Sequence, residues 1–161
     1  MDRRALYDED YFAWLQQQAA ALRRLAQNRR DLPNDLDVEQ IAEEIEDVGK
    51  SELRAARSFI RNILVHVLLV AFDTRSSARL RWKTEIVTFH AGLRSFATLS
   101  MRQLIDMDEL WEGAIEAADA RLQEHVDRLP RTLPERSPVT FEEITAKTVD
   151  WDNLILRLGR G

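Results

Sequence analysis

Three histidines, His66, His90 and His125, are the residues best suited by type to bind a metal or move a proton. Gathered at one spot they would make a zinc site with one open position. No two of them stand four residues apart, so any such site must be assembled from different elements. His66 lies inside "ILVHVLLVAF" (63–72), the most apolar stretch of the chain. A buried neutral imidazole held by one or two hydrogen bonds is the structural alternative to ligation or acid–base work there.

Carboxylates are the second source of chemistry. "IAEEIEDVGKSE" (41–52) holds five acidic residues in twelve positions. On a helix each residue turns by about 100°, which fans these groups out. Glu43 and Asp47 share a side, Glu46 points toward Lys50, and Glu44 and Glu52 point elsewhere. A hard-cation site needs several oxygens directed at one point. A di-iron bundle needs Glu-x-x-His on two helices, and that motif is missing from the chain. The run therefore reads as a solvated, ion-paired surface. Glu52 is set apart, because it falls in the apolar stripe between Val48 and Ala56. A carboxylate there is costly unless paired, so Glu52 should reach a helix end or an arginine. Glu52 precedes His66 by fourteen residues, roughly 20 Å along a straight helix. A site at His66 must recruit its partners from other helices.

A third cluster is "RSSARLRWK" (75–83), with Arg75, Arg79, Arg81 and Lys83 around Trp82. Arginines beside an aromatic ring can grip a phosphate or a single-stranded base. The plainer reading is a solvated helix start, with Trp82 opening a core stripe. The chain has no Gly-rich phosphate loop, no Gly-x-Ser-x-Gly elbow and no cysteine.

The elements that must position these residues are helices. The chain has 161 residues but only 5 Gly and 4 Pro, three of the prolines within 130–138. A helix over about 8–29 carries Tyr11, Trp14, Leu15, Leu22 and Leu25. "NRRDLPND" breaks it. A long second helix over 37–72, capped by Asp37 with Gln40 at the capping-box position, has a kink or soft spot at Gly49. Its core face is read as Val38, Ile41, Ile45, Val48, Ala56, Phe59, Ile60, Ile63, Val67 and Val70. Its last ten residues are apolar all round except His66, so they form either the centre of a bundle or a subunit interface. Further helices are expected over 78–101 and over 106–129, the latter capped by Asp106 with Glu109. After a proline-rich connector (130–139), a helical appendage over 140–158 starts at the Thr140–Glu143 capping box. The expectation is one all-α domain, an antiparallel helical bundle with its core over about 8–129.

"LYDEDYFAWLQQQAAALR" (6–23), "LDVEQIAEEIEDVGKSE" (36–52), "LVHVLLVAF" (64–72), "WKTEI" (82–86) and "LPERSPVTFEEI" (133–144) follow one another in the chain. In order and spacing they resemble the domain of unknown function 29 family, small α-helical bacterial proteins. That resemblance implies an all-helical fold and supplies no activity and no catalytic residues.

A formal net charge of −5 argues against general affinity for nucleic acid or an anionic membrane. The first twelve residues lack a signal-peptide core, and the 63–72 run is too short to span a bilayer. A cytoplasmic domain without a cofactor is expected. The leading functional expectation is a non-enzymatic interaction module that binds another protein or itself. The alternative is a metal-dependent enzyme built around His66, with Glu52 as a further catalytic candidate. The third is phosphate or nucleic-acid contact at the 75–83 turn.

Overall fold

The computed structural model describes residues 3–125 and 127–159. Among them the regular structure is entirely helical: α1 (Arg3–Glu9), α2 (Tyr11–Asn28), α3 (Val38–Phe72), α4 (Ser76–Phe96), a 3-10 segment (Leu99–Leu104), α5 (Met107–Gln123), α6 (Phe141–Thr145) and α7 (Trp151–Gly159). The described residues divide into two compact units, 3–55 with 97–104 and 56–96 with 105–159.

In the first unit the expected first helix is two. The break is at Asp10, whose carboxylate accepts from the amide of Ala13 at 2.9 Å and so starts α2. The same carboxylate accepts from the amide and hydroxyl of Ser100 at 2.9 and 2.7 Å, which fastens the 3-10 segment. Burial pushes Asp10 up, but these hydrogen bonds outweigh it and hold the carboxyl below its ordinary value.

The buried faces differ from the expected stripes. On α2 they are Phe12, Leu15 and Ala19, with Leu25 exposed. On the first half of α3 they are Val38, Ala42 and Gly49, while Ile41 and Val48 are exposed. The small residues face α2 because they allow close approach. A Cβ on Gly49 would stand 3.5 Å from the Phe12 ring. Helix α3 runs unbroken through Gly49. Arg23 of α2 ties the two helices together, pairing with Glu39 at 2.7 Å and with Glu46. Glu46 is thus held by Arg23, and Lys50 pairs instead with Asp47 at 2.7 Å.

The second unit is a helical bundle around the end of α3. Ile63 to Val70 are all buried, His66 included. Of the two expectations for this segment, bundle centre or subunit interface, it is the bundle centre. The 35-residue α3 is long enough, and its apolar end apolar enough, to cross a membrane by length and composition. Here those residues are covered by their own unit. A turn at 73–75 reverses the chain, so α4 runs antiparallel to α3 and packs Trp82, Ile86, His90 and Leu93 inward. Leu110, Trp111, Ala114, Ala118 and Leu122 of α5 complete the core with Phe141, Ile144, Leu154, Ile155 and Leu158. Asp106 caps α5 through the amides of Asp108 and Glu109, but no capping box forms there: the Glu109 side chain pairs with Arg57 at 2.9 Å. The Thr140–Glu143 box does form. The Trp111 indole donates to the Pro134 carbonyl at 2.8 Å, pinning the connector.

Gly92 lets α4 lie close to α3. A Cβ there would stand 2.5 Å from the Phe59 ring, which is stacked on Phe96. At Gly113 the nearest atom would be Arg61 Nε at 3.7 Å. Alanine is the better helix former by about 1 kcal/mol, so Gly113→Ala raises stability by up to that amount. At Gly92 the crowding, typically about 1–3 kcal/mol, exceeds the same gain, and Gly92→Ala destabilises. Urea midpoints moving in opposite directions are the expected result; two upward shifts would show that Phe59 gives way.

Candidate functional site

The end of α3 and the start of α4 form the two walls of a cleft of about 980 Å³ within the second unit. Helical spacing decides who lines it. Asn62, His66, Leu69 and Asp73 succeed one another at four-, three- and four-residue steps on α3 and its end. Ala78, Trp82, Glu85 and Phe89 do the same on α4, flanked by Ser77 and Arg81. The end of α5 and the residues after it add Arg121, Glu124 and His125 at the rim.

The floor is a saturated polar network. His66 Nδ1 lies 2.6 Å from the Asn62 carbonyl oxygen, which can only accept, so Nδ1 carries hydrogen and donates. His66 Nε2 lies 2.7 Å from Glu85 Oε2. With Nδ1 already protonated, that contact is a hydrogen bond only if a further proton lies between imidazole and carboxyl. The ring is wedged edge-to-face against Trp82 and Phe89, each at 5.1 Å. Asp73 sits beside it with its side chain 1% exposed. It accepts from the Arg75 amide at 2.9 Å, from Arg75 Nε and Nη2 at 3.0 and 2.8 Å, and from the Trp82 indole at 3.3 Å. The Arg75 guanidinium is the main cause that lowers the Asp73 carboxyl to about 2, against the upward push of burial. Among the described residues no buried side-chain nitrogen or oxygen lacks a partner.

The rim is open by comparison. Arg81 lies over the Trp82 ring, 4.2 Å from its centroid, and reaches Glu85 Oε1 only at 3.9 Å. Arg121 and His125 are exposed, and Arg121 has no ion pair among the described residues.

The expected candidates are thus redistributed. Arg75, Arg81 and Trp82 of the basic turn share the cleft with His66 and His125. Arg79 does not join them: its Nε donates to the Val70 carbonyl at 2.9 Å and closes the end of α3. Lys83 pairs with Asp152 at 2.7 Å. His90 lies elsewhere, against Trp151, donating from Nε2 to the Ala146 carbonyl at 3.0 Å. Burial pushes the His90 imidazole down. Glu52 is half-buried in the first unit and lines no part of the cleft. Among the described residues no three of His, Asp and Glu are placed to hold a metal.

Glu85, Asp73, Arg121, Glu124 and Asn62 were not singled out in the sequence. One signal for the hairpin was available. His66 stands eight residues before Thr74 and Trp82 eight after it, and in an antiparallel hairpin such positions meet. Glu85 follows Trp82 by one turn.

The all-helical fold and this cleft define a small helical protein with a polar, arginine-rimmed pocket. The chain matches the family described as domain of unknown function DUF29 over residues 6–150, and it belongs to that family. It is also similar to an α-helical protein of unknown function from Rhodospirillum rubrum, known from a crystal structure. The two share 40% identity and a TM-score of 0.89, over 95% of this chain and 97% of that one. No curated protein matches the chain.

Asp73 supplies a stability test. Its folded carboxyl is depressed from 3.8 to about 2. The stabilisation is therefore fully present above pH 4 and is lost as pH falls from about 4 toward 2. The shift corresponds to an effect on the order of 2 kcal/mol. Asp73→Asn is expected to lower stability by that order at neutral pH and to flatten the loss between pH 4 and 2. Denaturant unfolding at stepped pH measures both, and an unchanged pH slope would remove Asp73 from this role.

Proposed function

We propose that the chain is a non-catalytic recognition module that takes up an anionic group at the cleft of its second unit. The observation that carries this reading is the contrast between floor and rim. His66, Glu85, Asp73 and Arg75 are engaged with one another or with backbone and core groups. Glu124 adds long-range attraction to Arg75. The rim carries Glu124 beside His125 and two arginines without a hydrogen-bonded carboxylate among the described residues: Arg121, and Arg81, whose nearest carboxylate oxygen is 3.9 Å away. Guanidinium groups recognise carboxylate and phosphate through paired N–H donors.

This reading keeps the expectation of a binding role and moves its location. Self-association was suggested by the 63–72 segment, and that segment is occupied in the core of its own unit. The metal-enzyme alternative needs converging donors; His90 lies away from the cleft that His66 and His125 line, and among the described residues no three donors converge.

Titration of the full chain with inorganic pyrophosphate, followed by NMR, tests the proposal. Resonances of Arg81, Arg121 and His125 are expected to shift saturably. The double charge reversal Arg81→Glu with Arg121→Glu should abolish the effect while leaving the helical circular dichroism unchanged. Shifts confined to other surfaces, or none at saturating pyrophosphate, would refute it.

A further inference from the structure

We infer that the anionic group belongs to a mononucleotide, so that the cleft reads a flat base as well as a phosphate. The inference rests on the anion-binding reading above and adds a second recognition element to it. Arg81 is the first observation. Its guanidinium carbon sits over Trp82, 4.2 Å from the ring centroid, and its side chain is 64% exposed. The guanidinium is thus supported by the indole on one side while most of its surface stays open. An arginine plane so fixed is a stacking platform for a heteroaromatic base. The indole beneath it is itself covered, 9% exposed, so Trp82 serves by holding Arg81.

Asn62 is the second observation. Its backbone carbonyl is taken by His66, but its half-buried side-chain amide makes no hydrogen bond among the described residues and lines the cleft. A free amide offers donor and acceptor together, which matches the hydrogen-bonding edge of a base. Phosphate would be left to Arg121 and His125 at the rim. The volume, about 980 Å³, lies at the upper end of small-molecule sites, which run to about 1,000 Å³. The net charge of −5 disfavours a long polyanion but leaves a single nucleotide untouched.

Calorimetric titrations of the full chain with the four ribonucleoside monophosphates, the matching nucleosides, inorganic phosphate and a single-stranded oligoribonucleotide test the inference. At least one monophosphate should bind about tenfold or more tighter than inorganic phosphate, the order that one stacked base contributes. Arg81→Lys keeps the charge and loses the plane. It should remove about that tenfold advantage while leaving phosphate binding nearly intact. Asn62→Leu should narrow the discrimination among bases. Inorganic phosphate binding as tightly as every monophosphate would overturn the inference and leave the anion-binding reading standing. Failure of every anion to bind would overturn both. An oligonucleotide binding more tightly than any monophosphate would replace the mononucleotide with a strand.

Discussion

The second unit is organised by a helix end that has no polar side. From Ile63 to Val70 each side chain is within 3% of complete burial. Each large aliphatic side chain gains roughly 1.5–3 kcal/mol from leaving water, and that gain is kept only if every side of the helix is covered. The requirement accounts for α4 returning after a short turn, for α5, and for the tail folding back as α6 and α7. It also creates one problem. His66 brings two ring nitrogens into the most apolar place in the chain. The helix answers one with its own carbonyl four residues earlier, and α4 answers the other with Glu85. The polar floor of the cleft is thus a consequence of the core.

The reversal at 73–75 adds a second set of obligations. A helix end leaves carbonyls without partners and a helix start leaves amides without partners. Arg79 closes Val70, and Asp73 receives the Arg75 amide, so charged residues close to one another in sequence are spent on the turn itself. Counting arginines in "RSSARLRWK" therefore overstates what is free. Of its four cations one seals α3, one is locked to Asp73, and one meets Asp152. Only Arg81 is left without a hydrogen bond among the described residues.

How much of this was legible depends on what sets each feature. Local chemistry announced itself: the caps at Asp37, Asp106 and Thr140 are fixed by neighbours in sequence, and they hold. The phase of the apolar stripes was harder. Large residues dominate a periodicity, so Ile41 and Val48 drew attention that belonged to Ala42 and Gly49. Both are buried, and at Gly49 the missing side chain brings α3 against Phe12. Composition alone cannot show that closeness between helices outweighs side-chain size. The cleft was half legible for a related reason. His66 and the arginines stand out by type, whereas Glu85 and Asn62 matter only through the register of α3 against α4.

The acidic run at 41–52 shows the same logic from the other side. Its density suggested a site, yet Glu46 is engaged by Arg23 of α2 and Asp47 by Lys50 one turn on. Hydrogen bonding to Arg23 holds the Glu46 carboxyl below its ordinary value, as a carboxylate kept charged for an ion pair requires. Density of charge measures how much pairing a surface must accomplish. Function is better sought where pairing stops short. In the first unit Glu44, Glu46 and Asp47 find their partners within a helix or across to α2. In the second unit Asp73 and Glu85 are engaged by Arg75 and by a buried imidazole, and Arg81 and Arg121 at the cleft's mouth are left without a hydrogen-bonded carboxylate among the described residues.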